Sequence, residues 1–432
     1  MPPASRPRPP HDLPRRLAIA LAVLVGPTAV WAAGLPREIY VAAFGLGGAV
    51  AAWGLLRGPG GAFASVALAT GVLTVSLAAG DLLLRPVLAP RLYPRPLELL
   101  SRRWPPNPDL SRYPAGVRFD GMLHGDIAGM TGREEDREPR HVVWSTDARG
   151  FRNPPPPPEG PLDVVLLGDS FAAGSSTHDD ELWVSQLREV HGLAALSLGV
   201  PGSPWGELLT LKSEAPGLAL RPGTTIVWSL FTGNDLDDRY RDYTDVPEAN
   251  DRLERTSVRF ESFRKSSPLR RLWKARTDAR LTVERAARDA GFLWVREYAE
   301  RAQLGVAEIE AHPNHPRLVR VFAAMAAFAG ERDLPVLVVV VPTKWETYAW
   351  WIDPAGAEAS ADPSGFARAA RRLARDHGFA FLDLKPPLVD AARRAWQEEE
   401  RFVWWRDDTH WNGRGQAVAA AAVVPLLSRR AR

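Results

Sequence analysis

Five short, mainly apolar runs limit what the C-terminal two-thirds of this chain can become: Val164–Leu167, Ala194–Leu198, Thr225–Leu230, Val336–Val341 and Ala380–Leu384. Each has strand length, and helix-length stretches lie between them. Strands that are apolar on both faces must be covered on both faces. The pattern therefore predicts an α/β fold with a parallel sheet of about five strands. Ligands of such sheets collect beyond the C-terminal strand ends. Ser170, Gly199, Asn234 and Pro342 all fall there.

Three of these ends, with one string near the C-terminus, carry reactive chemistry. Gly168-Asp169-Ser170-Phe171 follows the first strand, and Asp407-Asp408-Thr409-His410-Trp411-Asn412 precedes an Ala/Val-rich helix. A serine hydroxyl is a poor nucleophile at neutral pH. It needs an imidazole to take its proton and a carboxylate to hold that imidazole in the useful tautomer. Ser170, His410 and either Asp408 or Asp407 supply those parts. A separation of about 240 residues is no obstacle, because the groups need only meet in space. Ser170 at a helix N-terminus also gains a backbone N–H for an oxyanion. Leu198-Gly199-Val200-Pro201-Gly202 and Thr232-Gly233-Asn234-Asp235 end the next two strands. The Gly199 N–H and the Asn234 amide can serve the same oxyanion. Each string alone is ordinary turn or capping chemistry; their order along the chain gives them weight. The serine does not sit in a Gly-x-Ser-x-Gly elbow, which disfavours an α/β-hydrolase.

In these four blocks, Ser170, Gly199, Asn234 and His410, the sequence resembles the SGNH (GDSL-like) hydrolase superfamily over about residues 140–430. Asp147-Ala148-Arg149-Gly150-Phe151-Arg152-Asn153 resembles the lead-in of envelope-anchored members. The resemblance implies a three-layer α/β/α sandwich, flavodoxin-like in layout, with Ser170 as nucleophile and His410 as base. It also implies an oxyanion hole made of the Ser170 and Gly199 amides and the Asn234 side chain, and no cofactor. The chain departs from the pattern at Ser197, where the family usually has Asn. The carboxylate is ambiguous: Asp-x-x-His spacing selects Asp407, whereas Asp-x-His-Trp-Asn selects Asp408, the favoured candidate. A metal site built from Asp407, Asp408 and His410 is disfavoured, since no second His lies nearby. Val341-Pro342-Thr343-Lys344-Trp345-Glu346-Thr347-Tyr348 resembles the Pro-Thr-Lys…Tyr stretch of relatives that O-acetylate exopolysaccharides, alginate O-acetyltransferases among them. Asp169, Lys344 and Trp411 are candidate substrate-binding residues. Lys344 and Tyr348 could equally cap a helix and pack beneath it, and most of the 16 tryptophans suit a core or an interface better than a ligand.

The remaining third reads as membrane. Leu17–Gly34, Ile39–Leu56 and Ala62–Leu84 each approach the ~20 residues that cross a ~30 Å hydrocarbon core. The expected organisation is a basic cytoplasmic tail (1–15), a membrane region of three transmembrane helices (16–88), a loosely packed Pro/Arg-rich connector (89–160) and the SGNH domain (161–432). A helical insertion at about 240–330 is expected beside the site, from the spacing in Leu269–Trp273, Leu281–Phe292 and Leu318–Phe328. Small residues at Ala32-Ala33-Gly34 leave a cleaved signal peptide as the alternative for the first span. Arginines flank the spans on both sides, so the positive-inside rule nearly cancels. An odd number of spans from a cytoplasmic start puts the catalytic domain outside the cytoplasm. A net charge of +3 gives no nucleic-acid signature, and without cysteine there is neither a disulfide nor a thiolate site. The activity expected is that of a membrane-anchored serine esterase acting on an acylated envelope carbohydrate or another small ester. One alternative is an O-acetyltransferase fed by a membrane acyl-donor partner. The other is a non-catalytic glycan-binding envelope protein.

Overall fold

The computed structural model describes residues 45, 47–53, 71–83, 102–103, 111–113, 115–127, 134–236, 282–352 and 362–428. The chain divides into two units, residues 1–92 with 259–278, and residues 93–258 with 279–432.

In the first unit, residues 47–53 and 71–83 are helical. Most of the three apolar stretches expected to span a membrane lies outside the described residues. Among the described residues no helix is long and apolar enough to cross one. Val72, Leu73, Leu77 and Leu83 are exposed on the second of these helices.

The second unit is built on five parallel strands. Besides a two-residue antiparallel pair, Arg102–Arg103 with Ser111–Arg112, its strands in chain order are β1 (Arg118–Leu123), β2 (Arg140–Ser145), β3 (Val164–Leu167), β4 (Ala195–Ser197), β5 (Thr225–Phe231), β6 (Val283–Arg285), β7 (Leu293–Val295), β8 (Val336–Val341) and β9 (Ala380–Asp383). The central sheet runs β9-β8-β5-β3-β4, with every neighbouring pair parallel. It uses the five runs read from sequence, with ends shifted by at most one residue. Strand residues alternate between two cores. Val165, Leu167, Ile226, Trp228, Val336, Val338 and Val340 face one, and Val164, Leu166, Val227, Leu337, Val339 and Val341 face the other. That period of two, apolar on both sides, is the reason the runs read as continuous.

Helices α1 (Ser170–Ala173), α2 (Pro204–Glu214), α3 (Arg296–Ala302), α4 (Val306–Glu310), α5 (His315–Gly330), α6 (Lys344–Ile352), α7 (Gly365–Asp376), α8 (Lys385–Glu399) and α9 (Gly413–Ser428) complete the unit. Side chains of α2, α5 and α7 cover the first face, and those of α6, α8 and α9 the second. Starts are set by local chemistry. Ser203 caps α2 ahead of Pro204, its side chain accepting from Gly206 N, and Ser364 caps α7 by accepting from Ala367 N.

Two expectations about organisation need correction. The segment 112–153 is not a loose connector. Its strands β1 and β2 form an antiparallel pair, and Val142, Trp144, Phe151 and Arg152 are buried in the domain. The expected insertion is not simply a helical cap. Val283–Arg285 and Leu293–Val295 form a short antiparallel pair where Leu281–Phe292 was expected to be helical. The helix expected at Leu318–Phe328 is present within α5, but it buries Leu318, Val321, Phe322 and Met325 in the core, as a sandwich layer. Leu269–Trp273 lies outside the described residues.

Candidate active site

The sheet order β4-β3-β5 puts three loops side by side: Ser170 after β3, Gly199 after β4 and Asn234 after β5. Ser170 opens α1, a single helical turn. The carboxylate of Asp169 caps that turn by accepting from Phe171 N at 2.9 Å. Asp169 is buried, so it is a structural cap and not the substrate-binding residue expected. Burial pushes its carboxyl pKa up, opposed by the Phe171 N–H and by nearby His410.

His410 reaches Ser170 from the loop before α9. Its Nε2 lies 2.7 Å from Ser170 Oγ. On its other side, Nδ1 lies 2.7 Å from Asp408 Oδ1. A carboxylate only accepts, so Nδ1 carries the proton and Nε2 is left basic toward the serine hydroxyl. The imidazole packs on the Phe171 ring at 4.7 Å between centroids. Asp408 is itself held: Oδ1 also accepts from His410 N at 3.1 Å, while Oδ2 accepts from Ser176 Oγ at 2.7 Å and Arg140 Nη2 at 3.1 Å.

Asp407 points elsewhere. Its carboxylate accepts from Gly125 N at 2.6 Å, Glu138 N at 2.8 Å and Arg140 Nη1 at 2.9 Å. The two neighbouring acids therefore divide the work: Asp408 meets the imidazole, and Asp407 ties the loop to the β1–β2 hairpin. Gly125 is needed at that junction, since a Cβ there would lie 1.9 Å from the Asp407 carbonyl oxygen.

Of the oxyanion candidates, Gly199 packs so closely on α1 that a Cβ would come within 2.6 Å of Ala172 C and Ala173 N. Its N–H does not stand open, contrary to expectation. It donates to Ser197 Oγ at 3.1 Å, because serine in place of the family's Asn presents a hydroxyl two residues back. Asn234 is half-buried at the end of β5, and its Oδ1 is buried without a hydrogen-bond partner. The carbonyl before it, on Gly233, accepts from Arg301 Nη1 of α3 at 2.8 Å.

Lys344 and Trp411 are not exposed substrate-binding side chains. Trp411 is fully buried, edge-on to Phe171 at 5.1 Å and to Trp183 at 5.8 Å. Lys344 is 4% exposed and donates to the carbonyls of Trp405 at 2.6 Å, Arg406 at 2.7 Å and Asp408 at 3.3 Å. Burial lowers its pKa to about 7, opposed by the charges of Asp407 and Asp408. Tyr348 lies one turn along α6, its hydroxyl accepting from Val403 N at 2.7 Å.

Sequence reasoning missed Arg140, Gly125 and Asp126. Arg140 stacks over Trp405 at 4.0 Å and bridges both acids. Asp126 accepts from Thr409 N at 2.7 Å, and its Oδ2 lies 3.7 Å from His410 Nδ1. The β-branched, aromatic run His141-Val142-Val143-Trp144 was the available signal for β2. Nothing local announced the contacts, which join residues about 270–280 apart. Ligand atoms of Asp126, Asp408 and His410 lie within 4.8 Å of one another, close enough to consider a metal. Both imidazole nitrogens are already engaged, by Asp408 and by Ser170, so the group is better described as a proton relay.

The lead-in segment anchors the nucleophile from beneath. Buried Arg152 donates to the Gly174 carbonyl at 2.6 Å and to Asp179 at 2.7 Å. Asn153 holds Ser197 on both sides, at 2.7 Å from its N and 2.9 Å from its carbonyl O. A separate cleft of about 490 Å³ is lined by Trp396, Phe402, Trp405, Arg406, Glu138 and Asp289, among others, but not by Ser170 or His410.

Residues 298–431 match the family model described as "SGNH hydrolase-like domain, acetyltransferase AlgX". That span holds His410, Asp408 and Lys344; Ser170, Gly199 and Asn234 lie ahead of it. Among solved structures, the chain is similar to a "putative acylhydrolase" from Bacteroides fragilis, with 11% identity, 65% of this chain and 94% of that one covered, and a TM-score of 0.32. It is also similar to a GDSL-like lipase from Bacteroides thetaiotaomicron, with 13% identity, 62% and 87% covered, and a TM-score of 0.29. No curated protein matches the chain in sequence. Residues 298–431 thus resemble an SGNH hydrolase-like domain, and the Ser, Gly and Asn blocks lie ahead of that span in the order such domains have.

Proposed function

We propose that this protein is a membrane-anchored serine esterase that acts on O-acyl groups of an envelope carbohydrate through an acyl-serine intermediate. The observation that carries the mechanism is the unbroken chain Ser170 Oγ–His410 Nε2 at 2.7 Å and His410 Nδ1–Asp408 Oδ1 at 2.7 Å.

Ser170 Oγ attacks the ester carbonyl while its proton passes to His410 Nε2. The imidazolium is stabilised by Asp408. The oxyanion is met by the Ser170 N–H, the Asn234 amide and the Gly199 N–H, which must then share its bond with Ser197 Oγ. Collapse breaks the ester C–O bond, and the leaving alkoxide takes the proton from His410. Water, or an acceptor hydroxyl, then gives its proton to His410 and attacks the acyl carbon; the bond from the acyl carbon to Ser170 Oγ breaks, and Oγ takes that proton from His410. These steps ask only for the chain's own acid–base groups.

The carbohydrate reading is supported by the mixed lining of the 490 Å³ cleft, where Trp396 and Trp405 stand among carboxylates and guanidinium groups. Anchoring is supported by the three apolar stretches and by exposed Leu73, Leu77 and Leu83. The same residues would serve an O-acetyltransferase, which the matched family's description favours as a second reading. A membrane partner would then supply the acyl group.

The test follows acetate release from p-nitrophenyl acetate and an acetylated oligosaccharide, alongside transfer to an unacetylated one. Wild type, Ser170→Ala and His410→Ala are compared. Loss of roughly 10³-fold or more in kcat is expected for each variant, with loss of fluorophosphonate labelling in Ser170→Ala. Equal rates in all three would end the enzymatic reading, and transfer outrunning release would select the acyltransferase. Retention in carbonate-washed membranes tests the anchor.

A further inference from the structure

We infer that Lys344 is a positioning residue: a buried cation that sets the place of Asp408 and His410 by gripping the backbone that carries them. The inference rests on the Ser170–His410 relay proposed above and adds what keeps that relay in register.

An ammonium group has three N–H donors and no acceptor. Here three carbonyls converge on it, from Trp405, Arg406 and Asp408, at 2.6, 2.7 and 3.3 Å. The opposite side of the group faces the Phe292 ring, 4.2 Å from Nζ. Lys344 is the first residue of α6, three residues beyond β8, so its base is fixed to the sheet that also carries Ser170. The gripped residues belong to a loop closed on itself by the Trp404–Trp411 bridge and by Trp405 N to the His410 carbonyl at 3.3 Å. Two other backbone bonds reach this stretch, from Leu293 N of β7 to the Arg406 carbonyl at 2.9 Å and from Ile127 N to the Asp407 carbonyl at 3.1 Å, and neither touches the carbonyls of Trp405 or Asp408. The hairpin holds it from elsewhere, through the side chains of Asp407 and Asp408. The two cations thus act on different parts of the loop, Lys344 on carbonyls and Arg140 on carboxylates.

Replacing Lys344 by Met takes this donor from the Trp405 and Asp408 carbonyls and leaves the Arg406 carbonyl with Leu293 N alone. The loop must then shift or admit water. A displacement near 1 Å between acid–base partners can lower turnover about 10²-fold. The Lys344 donors are spent on loop carbonyls, so ground-state binding should hardly change.

The test compares full-length wild type, Lys344→Met, Tyr348→Phe and Ser170→Ala on p-nitrophenyl acetate, with activity normalised to folded protein. Tyr348→Phe is the control: it removes the tether on Val403, lower in the same loop, without touching residues 405–410. Lys344→Met is expected to lower kcat 10- to 100-fold with KM within about twofold, and to slow fluorophosphonate labelling equally, while Tyr348→Phe lowers the melting temperature and keeps kcat. If Lys344→Met does not accumulate folded, Lys344→Gln, which keeps two amide donors, reads the same kcat-against-KM split. Wild-type kcat in the folded Lys344 variant, or equal losses in it and in Tyr348→Phe, would overturn the positioning role. An active Ser170→Ala would instead overturn the relay itself.

Discussion

Arg140 joins two carboxylates of different purpose, and at the scale of single residues that division can be measured. Asp408 faces His410 Nδ1, whereas Asp407 faces Gly125, Glu138 and Arg140. Asp408→Asn should present the wrong partner to the imidazole and lower kcat by about 10⁴, the size of effect known for a triad aspartate. Asp407→Asn should act mainly on stability, costing about 1–3 kcal/mol in urea unfolding as buried N–H groups lose a charged acceptor, with a smaller change in kcat. If the two substitutions had equal kinetic effects, the assignment of Asp408 as orienter would fail. Asn234→Ala should lower kcat about 10²–10³-fold at nearly constant KM, provided its amide meets the oxyanion. A loss confined to KM would place Asn234 in substrate binding instead.

Among the elements, α6 carries two buried ionisable groups that bend stability in opposite senses. Burial raises the Glu346 carboxyl from 4.5 to about 7. Between those values the folded chain holds a proton the unfolded chain has released, so this contribution falls as pH rises from 4.5 to 7. Burial lowers the Lys344 ammonium from 10.5 to about 7. Between 7 and 10.5 the unfolded chain holds the extra proton, so this contribution grows with pH. Together they place a minimum near pH 7 in what α6 contributes. Melting temperatures across this range should show the descending limb flattened in Glu346→Gln and the ascending limb flattened in Lys344→Met. Limbs unaltered in both variants would assign the pH dependence to other groups.

For the whole molecule, the informative position is Gly125, on a hairpin that precedes the sheet and touches a loop 282 residues later. Gly125→Ala would put a Cβ 1.9 Å from the Asp407 carbonyl. It should reduce both melting temperature and kcat on p-nitrophenyl acetate. Full activity with an altered melting temperature would mean the hairpin only stabilises the domain. Much of the α/β core was legible beforehand, because strands apolar on both faces announce themselves over four to six residues and turn residues mark their ends. Ser170 and His410 were legible for the same reason, since each sits in a short string with its own chemistry. Asp126 and Arg140 were not, because their meaning comes from pairing with Thr409 and Asp407 across most of the chain. Lys344 and Trp411 were noticed with two readings open, ligand or packing. Their neighbours in sequence suggested a ligand, whereas burial gave them a loop and a core to hold.

The joining of Ser170 to a base 240 residues further along has a consequence for biogenesis. During synthesis the hydroxyl leaves the ribosome long before the imidazole that activates it. A nascent or prematurely terminated chain can finish strands β3 to β8 and still be chemically silent. Ser170 gains its base only when the loop that carries His410 docks on the finished sheet.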